Sequence, residues 1–359
     1  MPELAVLTEQ LLAPVPGGTG RYTAELAAAL AGCAPPGWTV TGVVSRHADL
    51  DAARIPGVEG PRVLPLPRRA LIAAWDHGVP LWPGGDSVHA PTPLAPPAKR
   101  GRTLVVTVHD TVPWTHPETL TPRGVAWHRR AIGRAVRAAN AVVVPTAAVA
   151  RELLLHAPGP AGLHVVGHGP SAALAGDRAD VPGLPDRYVL AIGTVEPRKG
   201  LDVLVRAMAE LTEPLVVVGP AGWGGVDLRA VAAEHGLPPE RLRLLGRLDD
   251  AELATVLHRA TVLAAPSLAE GFGLPVLEAM AAGVPVVHSD APALTEVAGG
   301  AGVVVPRGDA AALAAGLRGL LADPERAARA VAAGRRRAAE FSWADAAARV
   351  WDLHAGVIR

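Results

Sequence analysis

A single cysteine, Cys33, among 359 residues excludes an internal disulfide and leaves no second thiolate for a zinc site, which suits a reducing compartment. Its expected place is that of a small buried hydrophobe on a helix. Net charge is missing too: 34 Lys plus Arg balance 34 Asp plus Glu, so no overall field draws the chain to nucleic acid or to anionic lipid, and any polyanion site must be local. No apolar run reaches the ~18 residues of a membrane span, and Met1-Pro2-Glu3-Leu4 lacks the basic region of a signal peptide. A soluble, cytoplasmic protein is expected. His156, His164 and His168 lack metal-ligand spacing and carboxylate support, so no metal cofactor is expected. No fixed-period repeat is present.

What is present is a foldable composition, 50% hydrophobic and 19% charged, which excludes disorder. The excess of Ala, Arg, Gly and Pro over Lys, Phe and Tyr suits a GC-rich genome and deprives alanine content of meaning. The length exceeds what one core usually serves, so two domains are expected. Short β-branched runs alternate with helical periodicity, the pattern of parallel βαβ units. Strands are read at 4–7, 39–44, 63–66, 104–108 and 141–144, then at 188–192, 215–218, 242–245, 261–265, 284–288 and 303–305. Helices are read at 21–31, 123–138 and 147–156, then at 201–211, 228–235, 250–259, 275–282 and 310–321. The proline-dense stretch 61–97 yields little else. Breakers such as Gly169-Pro170 and Val181-Pro182-Gly183 mark a linker. The reading is an α/β chain of two Rossmann-like doubly wound parallel-sheet domains, 1–170 and 187–340, joined by a linker over 171–186. A C-terminal helix lies in 341–359, and its apolar positions need a surface, the first domain being one option.

Four βα turns carry candidate chemistry. The first is Pro266-Ser267-Leu268-Ala269-Glu270-Gly271-Phe272-Gly273-Leu274-Pro275-Val276-Leu277-Glu278, where a buried strand ends, a glycine loop follows and Pro275 opens a helix. Free backbone N–H groups and a positive helix end at the carboxyl edge of a parallel sheet suit a diphosphate. Glu270 and Glu278 flank the turn, and carboxylates accept paired hydrogen bonds from vicinal hydroxyls; a loop charge and a solvated helix residue are the plain alternatives. The second turn, Gly193-Thr194-Val195-Glu196-Pro197-Arg198-Lys199-Gly200, places a planar fork and a point charge on the same rim, against the alternative of an ordinary surface pair. The third, Pro16-Gly17-Gly18-Thr19-Gly20-Arg21, lets backbone approach a phosphate, yet it is not G-x-G-x-x-G, and Ser45-Arg46 stands where an acidic residue would follow. The fourth is His109-Asp110, where an imidazole at a strand end can bond a hydroxyl or be satisfied by the core while the aspartate caps a turn. Arg335-Arg336-Arg337 reads as a solvated helix end. Arg129, Arg130, Arg134 and Arg137 form a basic helix for which peripheral contact with acidic lipid is one option.

Together these residues resemble the glycosyltransferase group 1 family, also called family 4: retaining nucleotide-sugar enzymes of two facing Rossmann-like domains, the GT-B fold. The match includes Gly17-Gly18-Thr19-Gly20-Arg21-Tyr22, His109-Asp110, Gly193 to Gly200, Glu270 to Glu278, Leu242-Arg243-Leu244-Leu245-Gly246 and Phe341-Ser342-Trp343. The resemblance implies that Glu270 holds hydroxyls of the donor sugar and Glu278 the ribose. It gives the diphosphate to Lys199 with Arg198 and to the backbone from Gly271 and Phe272 to Gly273 and Leu274, with Gly17 and Gly18 approaching from the other domain. His109 would contact the sugar near its reacting carbon, and no protein nucleophile would be needed. Where many members carry Arg this chain has Thr194, which shifts phosphate charge onto Lys199; where many carry Asn-Gly it has His168-Gly169. Gly222-Trp223 and Glu296-Val297 are most similar to the mannosyl- and rhamnosyl-transferring branch, so GDP-mannose is the first donor to expect. The acceptor, whether glycan, lipid-linked or a small molecule, is not legible. A nucleotide-sugar 2-epimerase of the same architecture and a non-catalytic nucleotide-sugar-binding protein are the competing readings.

Overall fold

A computed structural model describes residues 1–222 and 224–356; Trp223 lies outside the described residues. The chain gathers into two compact units, Met1–Gly169 with the stretch that begins at Ser342, and Pro170–Phe341.

The first unit is built on a parallel sheet whose strands are β1 (Glu3–Leu7), β2 (Thr39–Arg46), β3 (Glu59–Pro67), β4 (Ser87–Ala90), β5 (Thr103–Thr107), β6 (Ala141–Val144) and β7 (Gly162–Val165). Their order is β3-β2-β1-β4-β5-β6-β7, with β1 paired to β2 on one side and to β4 on the other. The helices are α1 (Gly17–Gly32), α2 (Arg68–Asp76), α3 (Val112–Thr115), α4 (Pro122–Ala138) and α5 (Ala147–His156). Local chemistry fixes several starts. Thr121 accepts from Gly124 N and Pro122 opens α4, while Thr146 accepts from Val149 N at α5. Two expectations change. α1 opens at Gly17, four residues before the expected start at 21, so the glycine run is the first helical turn. Cys33 is exposed at the C-cap just past the end of α1 rather than buried on the helix.

The second unit repeats the plan with β8 (Val189–Ile192), β9 (Leu215–Val218), β10 (Leu242–Gly246), β11 (Val262–Ala265), β12 (Val286–Ser289) and β13 (Val303–Val305), in the order β10-β9-β8-β11-β12-β13. Its helices are α6 (Leu201–Met208), α7 (Leu228–Glu234), α8 (Asp250–Arg259), α9 (Leu274–Ala282), α10 (Pro292–Ala298), α11 (Ala310–Ala322) and α12 (Pro324–Ala338). Strands buried on both faces, such as Leu215-Val216-Val217-Val218, explain the unbroken apolar runs. The stretch 171–186 is packed rather than tethered: Leu174 and Val181 are buried in this unit's core, and Thr255 Oγ1 donates to Ala179 O at 2.6 Å. Arg337 is also no solvated helix end. Its Nε and Nη2 donate to Val297 O at 2.9 Å and Glu296 O at 2.7 Å, satisfying the last carbonyls of α10.

The last helix, α13 (Trp343–Ala355), belongs to the first unit, where Trp351 Nε1 donates to Leu30 O on α1 at 3.0 Å. No helix among the described residues is long and apolar enough to cross a membrane.

Candidate functional site

In both sheets the strand order reverses between the first and fourth strands, and at such a reversal the loops leaving the carboxyl ends part and open a crevice. In the second unit the two strands are β8 and β11, paired at Val262 with Val189 and Leu263 with Leu190. The turn after β8 carries Arg198 and Lys199, and the loop after β11 carries Glu270, so topology brings the two charged motifs to one point.

Backbone chemistry brings them closer still. Gly200 has φ of 61° at the start of α6, and a Cβ there would lie 2.4 Å from Pro266 O, so the residue must be glycine for both reasons. Leu268 N donates to Arg198 O at 2.8 Å, stitching the two turns together. Lys199 Nζ then donates to Glu270 Oε1 at 2.6 Å, Ser267 Oγ to the same oxygen at 2.8 Å, and Arg198 Nη1 to Glu270 Oε2 at 3.3 Å. Burial alone would push the Glu270 carboxyl up, but Lys199 and Arg198, by charge, together with hydrogen bonds from Lys199 and Ser267, hold it down at about 2. It is therefore a carboxylate with fixed orientation. Lys199, Glu270, Ser267, Pro266 and Gly273 line a recess.

The remaining predicted residues fall around it unevenly. Gly273, with φ of 98°, precedes α9, whose N-terminus has no side-chain cap. Leu274 is the first residue of α9, and Glu278 is buried one turn further along it. Phe272 turns its ring into the core, 5.8 Å from Phe341, so only its backbone and that of Gly271 could meet a ligand. Thr194 is half-buried at the start of its turn, its methyl facing Gly222. Sequence reasoning missed the supports. Ser289 Oγ donates to Ser267 O, holding the residue that orients Glu270, and Glu196, buried, accepts from Arg198 Nη2 at 2.7 Å. A hydroxyl three residues before a carboxylate, and a carboxylate two before an arginine, were the available signals.

The first unit holds the other predicted residues. Gly17, at φ of 60°, and Gly18 open α1, and a Cβ on Gly18 would meet nothing within 4 Å. His109 stands just past β5 with its Nε2 donating to Pro91 O at 2.7 Å, which leaves Nδ1 as acceptor. The Tyr22 ring meets it edge-on with centroids 4.6 Å apart, and Tyr22 in turn lies 4.7 Å from His168, which stacks on Trp343 at 5.5 Å. Burial lowers the His109 pKa, and the Pro91 carbonyl and Asp110 offset only part of that, so the imidazole is neutral. Asp110 caps a turn by accepting from Val112 N at 3.1 Å. Beneath this rim runs a buried polar chain that sequence reasoning did not find: Tyr22 OH with Thr107 Oγ1 at 3.0 Å, Thr107 with His89 Nε2 at 3.2 Å, and His89 Nδ1 with His354 Nε2 at 3.2 Å. Among the described residues no three His, Cys, Asp or Glu side chains converge as a metal site.

The family model described as glycosyl transferases group 1 matches residues 179–337, and that described as glycosyltransferase family 4 matches residues 16–171. O-antigen chain mannosyltransferase B of Escherichia coli is 38% identical over 162 residues, 44% of this chain and 42% of that one. Phosphatidyl-myo-inositol mannosyltransferase of Mycobacterium leprae is 34% identical over 238 residues, 64% of this chain and 60% of that one. The chain thus spans about half the length of these relatives. Sucrose-phosphate synthase from Thermosynechococcus elongatus shares the fold, with a TM-score of 0.77 at 22% identity over 99% of each chain.

Proposed function

We propose that this chain, which belongs to the group 1, family 4 glycosyltransferases of the GT-B fold, transfers a hexose with retention from a nucleotide-diphosphate sugar to an acceptor hydroxyl, GDP-mannose being the first donor to test. The observation that carries the reading is the Lys199–Glu270 pair, held at 2.6 Å where the strand order of the second sheet reverses. That both relatives named above are mannosyltransferases supports mannose as the sugar.

Each group has a task in this reading. Glu270, ionised and fixed, accepts hydrogen bonds from sugar hydroxyls. Lys199 exchanges Glu270 for the diphosphate as the donor arrives, and the N–H groups at the start of α9 add the positive end of a helix dipole. Glu278 takes the ribose hydroxyls. His109, neutral, offers Nδ1 to a hydroxyl at the first unit's own rim. The bond from the anomeric carbon to the phosphate oxygen breaks while the acceptor oxygen bonds that carbon on the same face, and the acceptor proton passes to the departing phosphate. Negative charge grows on the phosphate as the bond breaks, so the Lys199 cation that meets it there lowers the barrier more than it tightens binding. The reading assigns no metal, because Lys199 and α9 supply the countercharge; EDTA should then leave the rate within about twofold, a small effect on the scale of the charges replaced.

The test is a donor panel. GDP-mannose, UDP-glucose, UDP-N-acetylglucosamine and ADP-glucose are each incubated with the protein, and nucleoside diphosphate release is followed with and without mixed glycan and inositol acceptors. Release that needs a sugar nucleotide and is abolished in Glu270→Ala supports the reading. No release and no binding across the panel would overturn it.

A further inference from the structure

Two cations stand side by side in the turn after β8, and the structure gives them different partners. Lys199 makes its hydrogen bond to Glu270, and its stem lies along Gly193, where a Cβ would sit 3.5 Å from Cδ and Cε. A flexible stem over a glycine leaves the ammonium able to change partner. Arg198 is held on several sides. Its Nη1 donates to Ala269 O at 2.9 Å and to Glu270 Oε2 at 3.3 Å, its Nη2 donates to Glu196 Oε1 at 2.7 Å, and its own carbonyl accepts from Leu268 N at 2.8 Å.

We infer that Arg198 is a positioning residue: its guanidinium sets the loop that carries Glu270, and it does not neutralise the donor's diphosphate. This rests on the donor reading above and replaces the phosphate role that the sequence resemblance gives Arg198. The planar fork is what allows one side chain to hold a backbone carbonyl and two carboxylates in fixed directions, a task an ammonium performs poorly. Swinging out to a phosphate would strip Glu196, whose side chain is only 7% exposed, of the partner that balances its buried charge. It would also release Ala269 and with it the loop from which Glu270 must reach the sugar. The two neighbouring cations therefore divide the work: Lys199 meets the leaving group, and Arg198 keeps the sugar-recognising carboxylate in place.

The experiment compares ligands that differ only by the sugar. Dissociation constants for GDP and GDP-mannose, and for UDP and UDP-glucose, are measured by calorimetry on wild type, Arg198→Gln, Arg198→Lys and Glu196→Gln, each checked for folding by thermal melting. Arg198→Gln should leave nucleoside diphosphate affinity within about threefold while removing tenfold or more of the extra affinity that the sugar confers, with a matching fall in kcat. Arg198→Lys should restore only part of it. Glu196→Gln, which disturbs the fork without removing it, should lower the same sugar-dependent increment by a smaller factor. A tenfold or greater loss of affinity for the bare nucleoside diphosphate in folded Arg198→Gln would make Arg198 a phosphate ligand and overturn the inference. An unchanged sugar increment in both Arg198→Gln and Glu196→Gln would also overturn it. If wild type binds neither nucleotide pair, the donor reading itself fails, a result distinct from either of these.

Discussion

The two sheets share one strand order around their reversal point and put opposite chemistry on their rims. After β8 and β11 stands a set of ionised groups, Glu196, Arg198, Lys199 and Glu270, bound to one another at 2.6 to 3.3 Å. After β4 and β5 stands an uncharged imidazole, His109, tied to Pro91 and flanked by the ring of Tyr22. In the second unit the reversal coincides with a recess lined by Lys199 and Glu270, whereas in the first unit His109 follows β5, one strand beyond the reversal between β1 and β4, so the loops rather than the topology set the chemistry of each rim.

The largest effect expected is on the charged rim. Lys199→Ala should lower kcat by about 10²–10³-fold, the scale found when a group that meets charge developing in the transition state is removed. Lys199→Arg should recover little of it, because a planar fork does not fit the place of a point charge. His109→Ala should cost kcat about tenfold to 10²-fold, below the range of a proton-transferring group. Steady-state rates with the donor identified by the panel would check both, and an unchanged rate for Lys199→Ala would break the contrast at its stronger side.

Acid should separate the rims as well. Burial lowers His89 to about 3, and it lowers His354 well below its ordinary value, so both are neutral when folded and would be protonated when unfolded. Between the ordinary histidine value near 6.5 and about 3 the unfolded state binds more protons, so stability falls as pH drops through that window, by up to about 1.4 kcal/mol per pH unit and histidine. Glu270 is held at about 2 against an ordinary 4.5, so its contribution is complete above 4.5 and is lost only as pH falls from there toward 2. Hydrogen exchange at stepped pH should show α13 and β4 loosening between pH 6 and 5, while the turns carrying Lys199 and Glu270 keep their protection. Simultaneous loosening would mean that the buried imidazoles are not what acid attacks first.

How much of this was legible follows from how local each feature is. The strands Leu215–Val218, Ala141–Val144 and Val303–Val305 have the bounds expected from their β-branched runs, and α8 has its expected bounds because Asp249 and Glu252 form a capping box. β4 was not legible. Half of Ser87-Val88-His89-Ala90 is polar, and it is buried at the centre of its sheet because His354, more than 260 residues away, supplies hydrogen-bond partners to Ser87 and His89. α10 was missed because no side chain caps its start and its last carbonyls are satisfied by Arg337 from another helix. The charged turns were legible as motifs, but not the division between Arg198 and Lys199, which depends on Glu196 and Ala269. One further signal stands in the sequence. Lys199 is one of only two lysines, the other being Lys99, in a chain that otherwise uses arginine, so the compact ammonium in this turn is unusual for the chain.

A smaller effect tests how tightly the charged rim is assembled. Gly200→Ala places a methyl 2.4 Å from Pro266 O at a φ of 61°, so the two turns must separate or the backbone must leave the left-handed region. A cost of about 1–3 kcal/mol is expected in urea unfolding. The sugar-dependent part of donor affinity should fall with it, since Lys199 and Glu270 sit on the two turns being pushed apart.

The smallest effect expected is at the uncharged rim. Tyr22→Phe removes only the hydroxyl that shares a hydrogen bond with Thr107 Oγ1 at 3.0 Å, and Thr107 keeps His89 Nε2 at 3.2 Å as a partner, so no buried group is orphaned. The loss should be about 0.5–1.5 kcal/mol in urea unfolding. The ring still meets His109 edge-on, and since the imidazole is oriented by Pro91 rather than by the phenol, kcat should stay within about twofold, less than the tenfold that 1.4 kcal/mol of lost transition-state binding would give. Tyr22→Ala, by contrast, removes the ring against which both His109 and His168 are packed and should lower kcat without changing affinity for the nucleoside diphosphate. If Tyr22→Phe instead cost as much rate as Tyr22→Ala, the polar chain through Thr107 and His89 would be part of what sets His109, and the uncharged rim would depend on hydrogen bonding as much as the charged one does.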